Sequence, residues 1–569
     1  MTQLALPDNV VAPFENVTLT NRQRDYHLQR RDDQFWIDMV DPEWDQVKIL
    51  EHGPSVHLDD LPNPSRVKRQ IVLATGSHHM QLYWAASGKG SRKHSIIPFV
   101  YLFRDQRWVP REDVFLRPPN AHRLVQVWNE VCIRCHTTGG QPRFDRQTLQ
   151  METRVAELGI ACEMCHGPAR KHVNYYTAIA KPGPHVPNRE EFQDEIVQPQ
   201  YLSPVANAQI CGQCHSIFGF RNRANLDEWL HQGFKYRPGH NLFETRAIVR
   251  HPANTSGSLT PKLPKRIRSP DRESPSWQEM FWSDGMVRVS GREYNGLLET
   301  ACYQRGTMTC LSCHSMHESD PNDQLADRMD TDYACAQCHS AVSTNLQAHT
   351  HHPIDSAGSR CYNCHMPHTT YGLLKAIRSH QVSNPSIAES LDTIGRPNAC
   401  NLCHLDKTLA WTQQQLQSWY GVNPVPLGTE QQKYSAALQW LLKGDAGQRA
   451  LIAWHMGWDS AKEASGSDWL APFLGHLMSN DSYSAVRYIA ARSLSTLPGL
   501  SELKYDFIGP IDERIAAGAE VDKQWRRTKP ETLDRFGSEI LITEDGTVDL
   551  KTIKRMDREQ DDRDVFLNE

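Results

Sequence analysis

The sequence has no long apolar run and no strong charge of either sign. Its longest uninterrupted apolar stretch, residues 96–103, contains Pro98, whereas a membrane-spanning helix needs about 20 apolar residues. The mean hydropathy is −0.60, and the formal net charge is −5 over 569 residues. A general nucleic-acid binder is strongly basic. The composition therefore predicts no transmembrane segment and argues against a nucleic-acid partner.

Cysteine and histidine, in contrast, are abundant, with 15 and 27 residues. Fourteen of the cysteines form seven C-x-x-C-H units, which are numbered 1 to 7 along the chain. Their cysteines are Cys132 and Cys135, Cys162 and Cys165, Cys211 and Cys214, Cys310 and Cys313, Cys335 and Cys338, Cys361 and Cys364, and Cys400 and Cys403. The histidines that follow are His136, His166, His215, His314, His339, His365 and His404.

C-x-x-C-H is the attachment signature of c-type haem. Two thiols separated by two residues lie on one side of a helical turn, where they can form thioether bonds to the vinyl groups of one haem, and the adjacent imidazole becomes the proximal iron ligand. Zinc sites do not require a histidine after every second cysteine, and iron–sulfur ligation favours tighter runs of four cysteines. A disulfide scaffold is unusual in so long a chain. The pattern predicts seven covalently bound c-type haems.

Twenty histidines remain as possible second axial ligands. A second ligand suits an iron to electron transfer, whereas an open position permits substrate chemistry. Most isolated histidines are structural. Here seven irons need a second axial ligand, which makes ligation a more frequent role for the remaining histidines. His349, His351 and His352 form a cluster just before unit 6. The candidates for distal ligands are His79, His172, His317, His351, His352, His368 and His380.

The chain divides into four regions by composition and pattern. Residues 1–125 carry no attachment unit, and runs at 69–75, 80–86 and 97–104 predict strands. Residues 126–409 hold all seven units, three within 132–215 and four within 310–404. Helical patterns at 430–443, 446–456, 469–478 and 482–497 predict a HEAT-like helical domain over 410–500, with a capping box at Thr429 and Gln432. Residues 501–569 are expected to be a polar tail.

The units and their surroundings resemble the multihaem c-type cytochromes of the hydroxylamine-oxidoreductase and nitrite-reductase superfamily, in the branch with doubled C-x-x-C-H motifs and a C-terminal HEAT-like region. The likeness covers roughly residues 60–500. It implies a multihaem cytochrome fold, mainly α with much irregular structure around the haems, and mostly bis-histidine haems in stacked pairs. The segments that carry it are 159–168 with His172, 306–317, 351–367, and 378–380 followed by 397–404.

The resemblance does not determine a reaction, since the superfamily includes both carriers and enzymes. Its enzymes need an open catalytic haem, sometimes with lysine as the proximal ligand, and no C-x-x-C-K occurs here. The tyrosine that crosslinks to haem in hydroxylamine oxidation cannot be assigned. We therefore expect an electron carrier, with an oxidoreductase of small nitrogen or sulfur compounds as the alternative and a mainly structural binding protein as a third.

Thioether attachment takes place outside the cytoplasm, which predicts a periplasmic or otherwise extracytoplasmic protein. The first residues show neither a basic region nor an apolar core of a signal peptide. We therefore expect Met1 to be an internal methionine, with a signal peptide and an eighth unit upstream. One of His78 and His79 would then serve that further haem.

Redox proteins are the expected partners, and the helical region is a possible assembly or docking module. A basic stretch at 262–268 is either a solvated loop or a patch for an acidic partner. Cys302, the cysteine outside the units, is expected to be a small apolar residue. An extra ligand or an intermolecular disulfide is its alternative role.

Overall fold

The protein is described by a computed structural model over residues 1–567, apart from 54–55, 89, 120, 124, 181–191, 252–277, 318, 321, 373, 393 and 529–536. The basic stretch 262–268 lies outside the described residues.

An antiparallel sheet occupies the N-terminal part. Strands β2 to β8 form a meander, while β1 pairs with the end of β5, where Thr2 lies opposite Thr75. The runs predicted at 69–75, 80–86 and 97–104 lie largely in β5, β6 and β7. The strands are β1 (Thr2–Leu4), β2 (Val17–Asn21), β3 (Arg24–Arg31), β4 (Gln34–Val40), β5 (Arg66–Thr75), β6 (Met80–Ala86), β7 (His94–Leu102) and β8 (Arg107–Pro110), and helix α1 (Pro42–His52) joins β4 to β5.

In strands β3 and β4, alternation of apolar and polar residues gives one buried face. In β3, Tyr26 and Leu28 are buried while His27 between them is exposed. Phe14 lies at the centre of an aromatic core, with edge-to-face contacts to Phe35, Tyr83 and Trp108 at centroid distances of 5.0, 5.3 and 5.5 Å. The N-terminal region thus has a side-chain core of its own.

The part of the chain that holds the units is built from short elements. None of the described side chains in 301–358 is buried. The short strands are β9 (Thr137–Thr138), β10 (Glu157–Leu158), β11 (Phe218–Phe220), β12 (Arg246–Ile248), β13 (His368–Tyr371) and β14 (Lys375–Arg378). The helices are α2 (Cys162–His166), α3 (Arg170–Ala180), α4 (Pro204–Gly212), α5 (Arg223–Gln232), α6 (Glu293–Leu298), α7 (Ala301–Gln304), α8 (Tyr333–Ala336), α9 (Ser340–Ser343), α10 (Leu346–Thr350) and α11 (Cys361–His365).

Longer helices form the C-terminal part around a second large core. Trp469, Phe473 and Leu474 are fully buried there, and α17 packs against both α18 and α19. The HEAT-like arrangement stays a prediction. The helices are α12 (Leu409–Tyr420), α13 (Thr429–Lys433), α14 (Ala436–Lys443), α15 (Ala446–His455), α16 (Asp459–Ser465), α17 (Ala471–Asn480), α18 (Ser484–Leu494), α19 (Ile511–Thr528) and α20 (Leu550–Arg558).

Two features of this region differ from the sequence interpretation. The helix predicted over 430–443 is split, because Tyr434 is extended and the Ser435 side chain accepts a hydrogen bond from Leu438 N to start α14. The capping box expected at Thr429 is wrong: Gly428 is the N-cap of α13, and a side-chain capping box forms instead between Asp445 and Gln448.

The C-terminal segment packs against both other parts. In α20, Ile553 and Met556 are buried, and Leu567 forms a β-bridge with Leu116 near the end of the sheet region. The Tyr488 hydroxyl donates to Asp105 Oδ2 at 2.6 Å, which ties α18 to the sheet.

Candidate haem-binding sites

Each attachment unit forms one turn of helical backbone. In unit 1, the amide N–H of His136 donates to the carbonyl oxygen of Cys132 at 2.9 Å. Units 3, 4, 5 and 7 repeat this bond at 2.9–3.0 Å, while units 2 and 6 are the helices α2 and α11. None of the fifteen cysteines is in a disulfide. Both thiols of every unit are therefore available for thioether bonds.

Four of the proximal histidines face a second histidine from a distant part of the chain. In all four pairs the ring centroids are 6.0–6.2 Å apart and the rings are within 29° of parallel. The pairs are His166 with His317 (6.0 Å, 3°), His314 with His380 (6.2 Å, 20°), His365 with His349 (6.1 Å, 15°), and His404 with His352 (6.1 Å, 29°).

This spacing fits an iron between the two rings. An imidazole nitrogen binds a metal at about 2 Å, and two such bonds plus the inner halves of both rings add up to about 6 Å between centroids. No group of three or more His, Cys, Asp or Glu side chains converges among the described residues as in a zinc site. Histidines that face each other in pairs suit a metal whose other four ligands are the nitrogens of a porphyrin.

Backbone carbonyls orient one ring of every facing pair. The Nδ1 of His166 lies 2.8 Å from Val197 O, and that of His365 lies 3.0 Å from Ser383 O. His352 Nδ1 is 2.6 Å from Thr350 O, and His380 Nδ1 is 3.2 Å from Arg378 O. A proton held on Nδ1 leaves the lone pair of Nε2 for a metal, and such second contacts are typical of metal-ligating histidines.

Units 1, 3 and 5 differ from the others. In the described part of the chain, His136, His215 and His339 have no near-parallel histidine partner of this kind. His215 has a carboxylate partner, since its Nδ1 lies 2.7 Å from Glu293 Oε2. Burial opposes the charge on Glu293, but the hydrogen bond and charge of His215 lower its pKa to about 2. His215 is thus held by an ionised carboxylate.

The units lie next to one another. The Cys135 thiol lies 3.9 Å from the carbonyl oxygen of Cys214, which brings units 1 and 3 together. The thiols of Cys211 and Cys310, and those of Cys335 and Cys361, are close enough to shift each other's pKa. Further electrostatic neighbours are Cys165 with Cys211, Cys313 with Cys335, and Cys364 with Cys400. Units 1, 3, 4, 5, 6 and 7 therefore form a line, with unit 2 beside units 3 and 4.

Comparison with known proteins supports this reading of the units. Residues 304–344 match the family described as the doubled CXXCH motif. A segment of 105 residues is 24% identical to "Multiheme cytochrome MtrA" of Shewanella baltica (strain OS185) and covers 18% of this chain. The match spans about a quarter, 26%, of that relative's length. No solved structure matches the chain.

The units and both comparisons support a multihaem c-type cytochrome. The doubled motif and the relative indicate covalently bound haem, and the cysteine pairs with their facing histidines are the groups that would hold it. No helix in the described part of this cytochrome is long and apolar enough to cross a membrane.

Four of the histidines predicted as distal ligands have other contacts in this cytochrome. His351 stacks on Trp419 at 4.7 Å, and His368 Nδ1 lies 3.2 Å from His455 Nε2. His172 Nδ1 is 2.8 Å from Asp194 Oδ2, and His79 Nε2 is 2.8 Å from Lys375 Nζ. None of the four stacks on a proximal histidine among the described residues.

His349 was not among the predicted ligands, although it faces His365. His349 and His352 are three residues apart, and His351 between them takes the left-handed conformation with φ 56°. Because of that turn, His349 lies against unit 6 and His352 lies against unit 7. The ring of His351 packs on Trp419 instead. The cluster was visible in the sequence, but the turn that sorts its members was not.

His79 lines a cavity of about 410 Å³ between the sheet and the helices. Trp454, Trp458 and Tyr488 form part of its wall. His368 lies against both tryptophans, at 4.6 and 4.9 Å, so the cavity wall is connected to the strand that follows unit 6. Cys302 lies away from this cavity, half-buried in α7.

Proposed function

We propose that this cytochrome conducts electrons along a line of seven closely spaced haems between redox protein partners outside the cytoplasm. The facing histidine pairs, at 6.0–6.2 Å between centroids, are the observation that carries this proposal. Haem supplies a one-electron redox centre, whose potential is set by its axial ligands, its burial and nearby charge. The chain holds and spaces these centres.

In this proposal the four facing pairs are axial ligand pairs. The second axial ligands of the haems at units 2, 4, 6 and 7 would then be, in that order, His317, His380, His349 and His352. Two strong ligands leave no position for a substrate, which suits these sites to electron transfer. Rings fixed by backbone carbonyls reorganise little when the charge on the metal changes.

The order of the line follows from the thiol contacts. Electrons would pass between unit 7 and unit 1 through units 6, 5, 4 and 3, with unit 2 as a branch. We propose the helical region as a HEAT-like docking module at the side of this line. The likeness to the hydroxylamine-oxidoreductase and nitrite-reductase superfamily belongs to the same proposal, and so does the extracytoplasmic location.

A second candidate function is an oxidoreductase of a small nitrogen or sulfur compound. It is favoured by units 1, 3 and 5. Their histidines, His136, His215 and His339, have no near-parallel histidine partner among the described residues. An iron with one protein ligand keeps a position for a small molecule. The line of neighbouring units would then supply or remove its electrons.

Removal of one unit from the middle of the line tests the main proposal. Unit 5 is suitable because it lies in the middle of the line, between units 4 and 6. In the double variant Cys335→Ser/Cys338→Ser, an electron delivered by a photoreductant attached at Lys407→Cys, beside unit 7, should stay on units 6 and 7. Rapid-freeze electron paramagnetic resonance resolves which haem has been reduced.

The matched control is Cys132→Ser/Cys135→Ser, which removes unit 1 at the far end of the line. In this variant the electron should still leave units 6 and 7 at the unaltered rate. Equal rates in both double variants would contradict the line.

A further inference from the structure

A buried arginine lies between units 1 and 3. Arg246 begins β12 and is 2% exposed. Its guanidinium lies over the rings of Phe218 and Phe234, at 4.4 and 3.8 Å. Its Nε and one terminal nitrogen have no hydrogen-bond partner among the described residues. Aromatic faces stabilise a cation but leave these buried N–H groups without an oxygen acceptor.

Two more buried polar groups beside Arg246 also have no hydrogen-bond partner among the described residues. Arg134, inside unit 1, lies over Trp229 at 4.4 Å, and its Nε has no partner among the described residues. The hydroxyl of Tyr236, a residue that is 5% exposed, likewise has none there. Arg134 and Tyr236 both interact electrostatically with Arg246, and so do the thiols of Cys135 and Cys214. Three buried donors thus surround the junction of units 1 and 3.

The described chain supplies no carboxylate to balance the charge of Arg246. Burial lowers the pKa of Arg246 to about 10, so the group is still charged at neutral pH. No carboxylate of the described residues interacts with Arg246, and Arg134 has the electrostatic attraction of Glu130 but no ion pair with it. The neighbouring thiols become uncharged thioethers once haem is attached. A buried charge without a counter-charge is strongly destabilising, which favours a counter-charge supplied by a bound group.

We propose that Arg246, Arg134 and Tyr236 form a binding site for carboxylate or related anionic oxygens between units 1 and 3. The inference rests on the proposed attachment of haem at these two units. Guanidinium groups match such oxygens with paired N–H donors. The oxygens come from a haem propionate, or from a free small anion beside one of the units that faces no stacked histidine.

Redox titration of the fully haem-loaded chain tests the site, with electron paramagnetic resonance to follow individual haems. A nearby cation favours the reduced state of a haem. Arg246→Gln should therefore lower the potential of one or two haems, and Arg246→Lys should restore part of the shift. Arg221→Gln is the matched control, since Arg221 is exposed next to the same hairpin and its loss should leave every potential unchanged.

Added nitrite and formate distinguish the two sources of the anion. If a propionate occupies the site, the shift in Arg246→Gln is the same with and without these anions. If a free anion occupies it, nitrite or formate shifts the potentials of the unaltered protein, and Arg246→Gln abolishes that response. Unchanged potentials together with an unchanged response to both anions would overturn the proposal.

Tyr236→Phe provides a second test of the site in case Arg246→Gln does not fold with its full set of haems. It removes only a hydroxyl, and it should lower the same potentials by a smaller amount. If Tyr236→Phe and Arg246→Lys both retain full haem content and unaltered potentials and anion responses, the site is refuted. Failure of the electron-transfer proposal is separate, because an equilibrium titration does not depend on transfer between haems.

Discussion

The helical region and the segment 301–358 differ in how many of their side chains are buried. The helices bury Trp469, Phe473 and Leu474 completely, whereas none of the described side chains in 301–358 is buried. A chain without buried apolar surface cannot offset the conformational entropy lost on folding. The segment holds units 4 and 5, and we expect their apolar macrocycles to supply the core that its side chains do not form. We therefore expect haem to stabilise the fold of this segment as well as to carry electrons.

The largest effect expected from this difference is the loss of structure when haem is withheld. In the haem-free chain, backbone amides of 301–358 should exchange with solvent as in an unfolded chain, while α14, α15, α17 and α18 keep their protection. Hydrogen exchange followed by mass spectrometry measures both regions in one sample. Equal protection of 301–358 with and without haem would contradict a cofactor-built core.

A buried ion pair allows the helical core to be weakened separately. Arg449 pairs with Asp481 at 2.7 Å, and both side chains are at most 2% exposed. Arg449→Gln leaves a buried carboxylate without its partner and should cost about 3–5 kcal/mol of unfolding free energy. Urea denaturation followed by circular dichroism measures this loss.

The control for that variant is Arg526→Gln. Arg526 pairs with Asp522 at the same 2.7 Å, but its side chain is 47% exposed, so the cost should stay under about 1 kcal/mol. Neither variant should change the haem potentials. A shift of the potentials in Arg449→Gln would show that the two regions are energetically coupled.

A smaller effect should appear as a pH dependence of the helical core. His455 is fully buried, and burial lowers its pKa from 6.5 to about 3. As pH falls below 6.5, the unfolded chain takes up a proton that the folded chain refuses, so stability is lost towards pH 3. The loss should reach about 3 kcal/mol at pH 4. His455→Gln should reduce this dependence but not remove it, because burial also lowers the pKa of the neighbouring His368. An unchanged dependence on pH in urea denaturation would refute the assignment.

The smallest effect concerns one haem. Glu293, whose pKa is about 2, accepts a hydrogen bond from His215 Nδ1 at 2.7 Å. A carboxylate partner makes imidazole a stronger donor and stabilises the oxidised metal. Glu293→Gln should raise the potential of the haem at unit 3 by about 30–60 mV, or about 1 kcal/mol. A redox titration with unaltered potentials would contradict this role.

The seven units were predictable from the sequence because each is a five-residue signal, whereas their partners are not. His317 and His380 were among the candidates, but their assignment to units 2 and 4 depends on contacts between residues 151 and 66 positions apart. Near His351 the sequence could not distinguish the candidates, because the left-handed conformation of this residue separates His349 from His352. In α20, Ile553 and Met556 are three residues apart and buried, a helical signal that the polar composition of 501–569 obscured.

Electron paramagnetic resonance of the oxidised, fully haem-loaded protein tests the central claim most directly, with His317→Ala measured beside the unaltered chain. The account predicts low-spin ferric signals from at least the four haems of units 2, 4, 6 and 7. In His317→Ala one of them, at unit 2, should become high-spin. A predominantly high-spin spectrum, or a low-spin signal at unit 2 that survives His317→Ala, would contradict the facing histidine pairs as axial ligands.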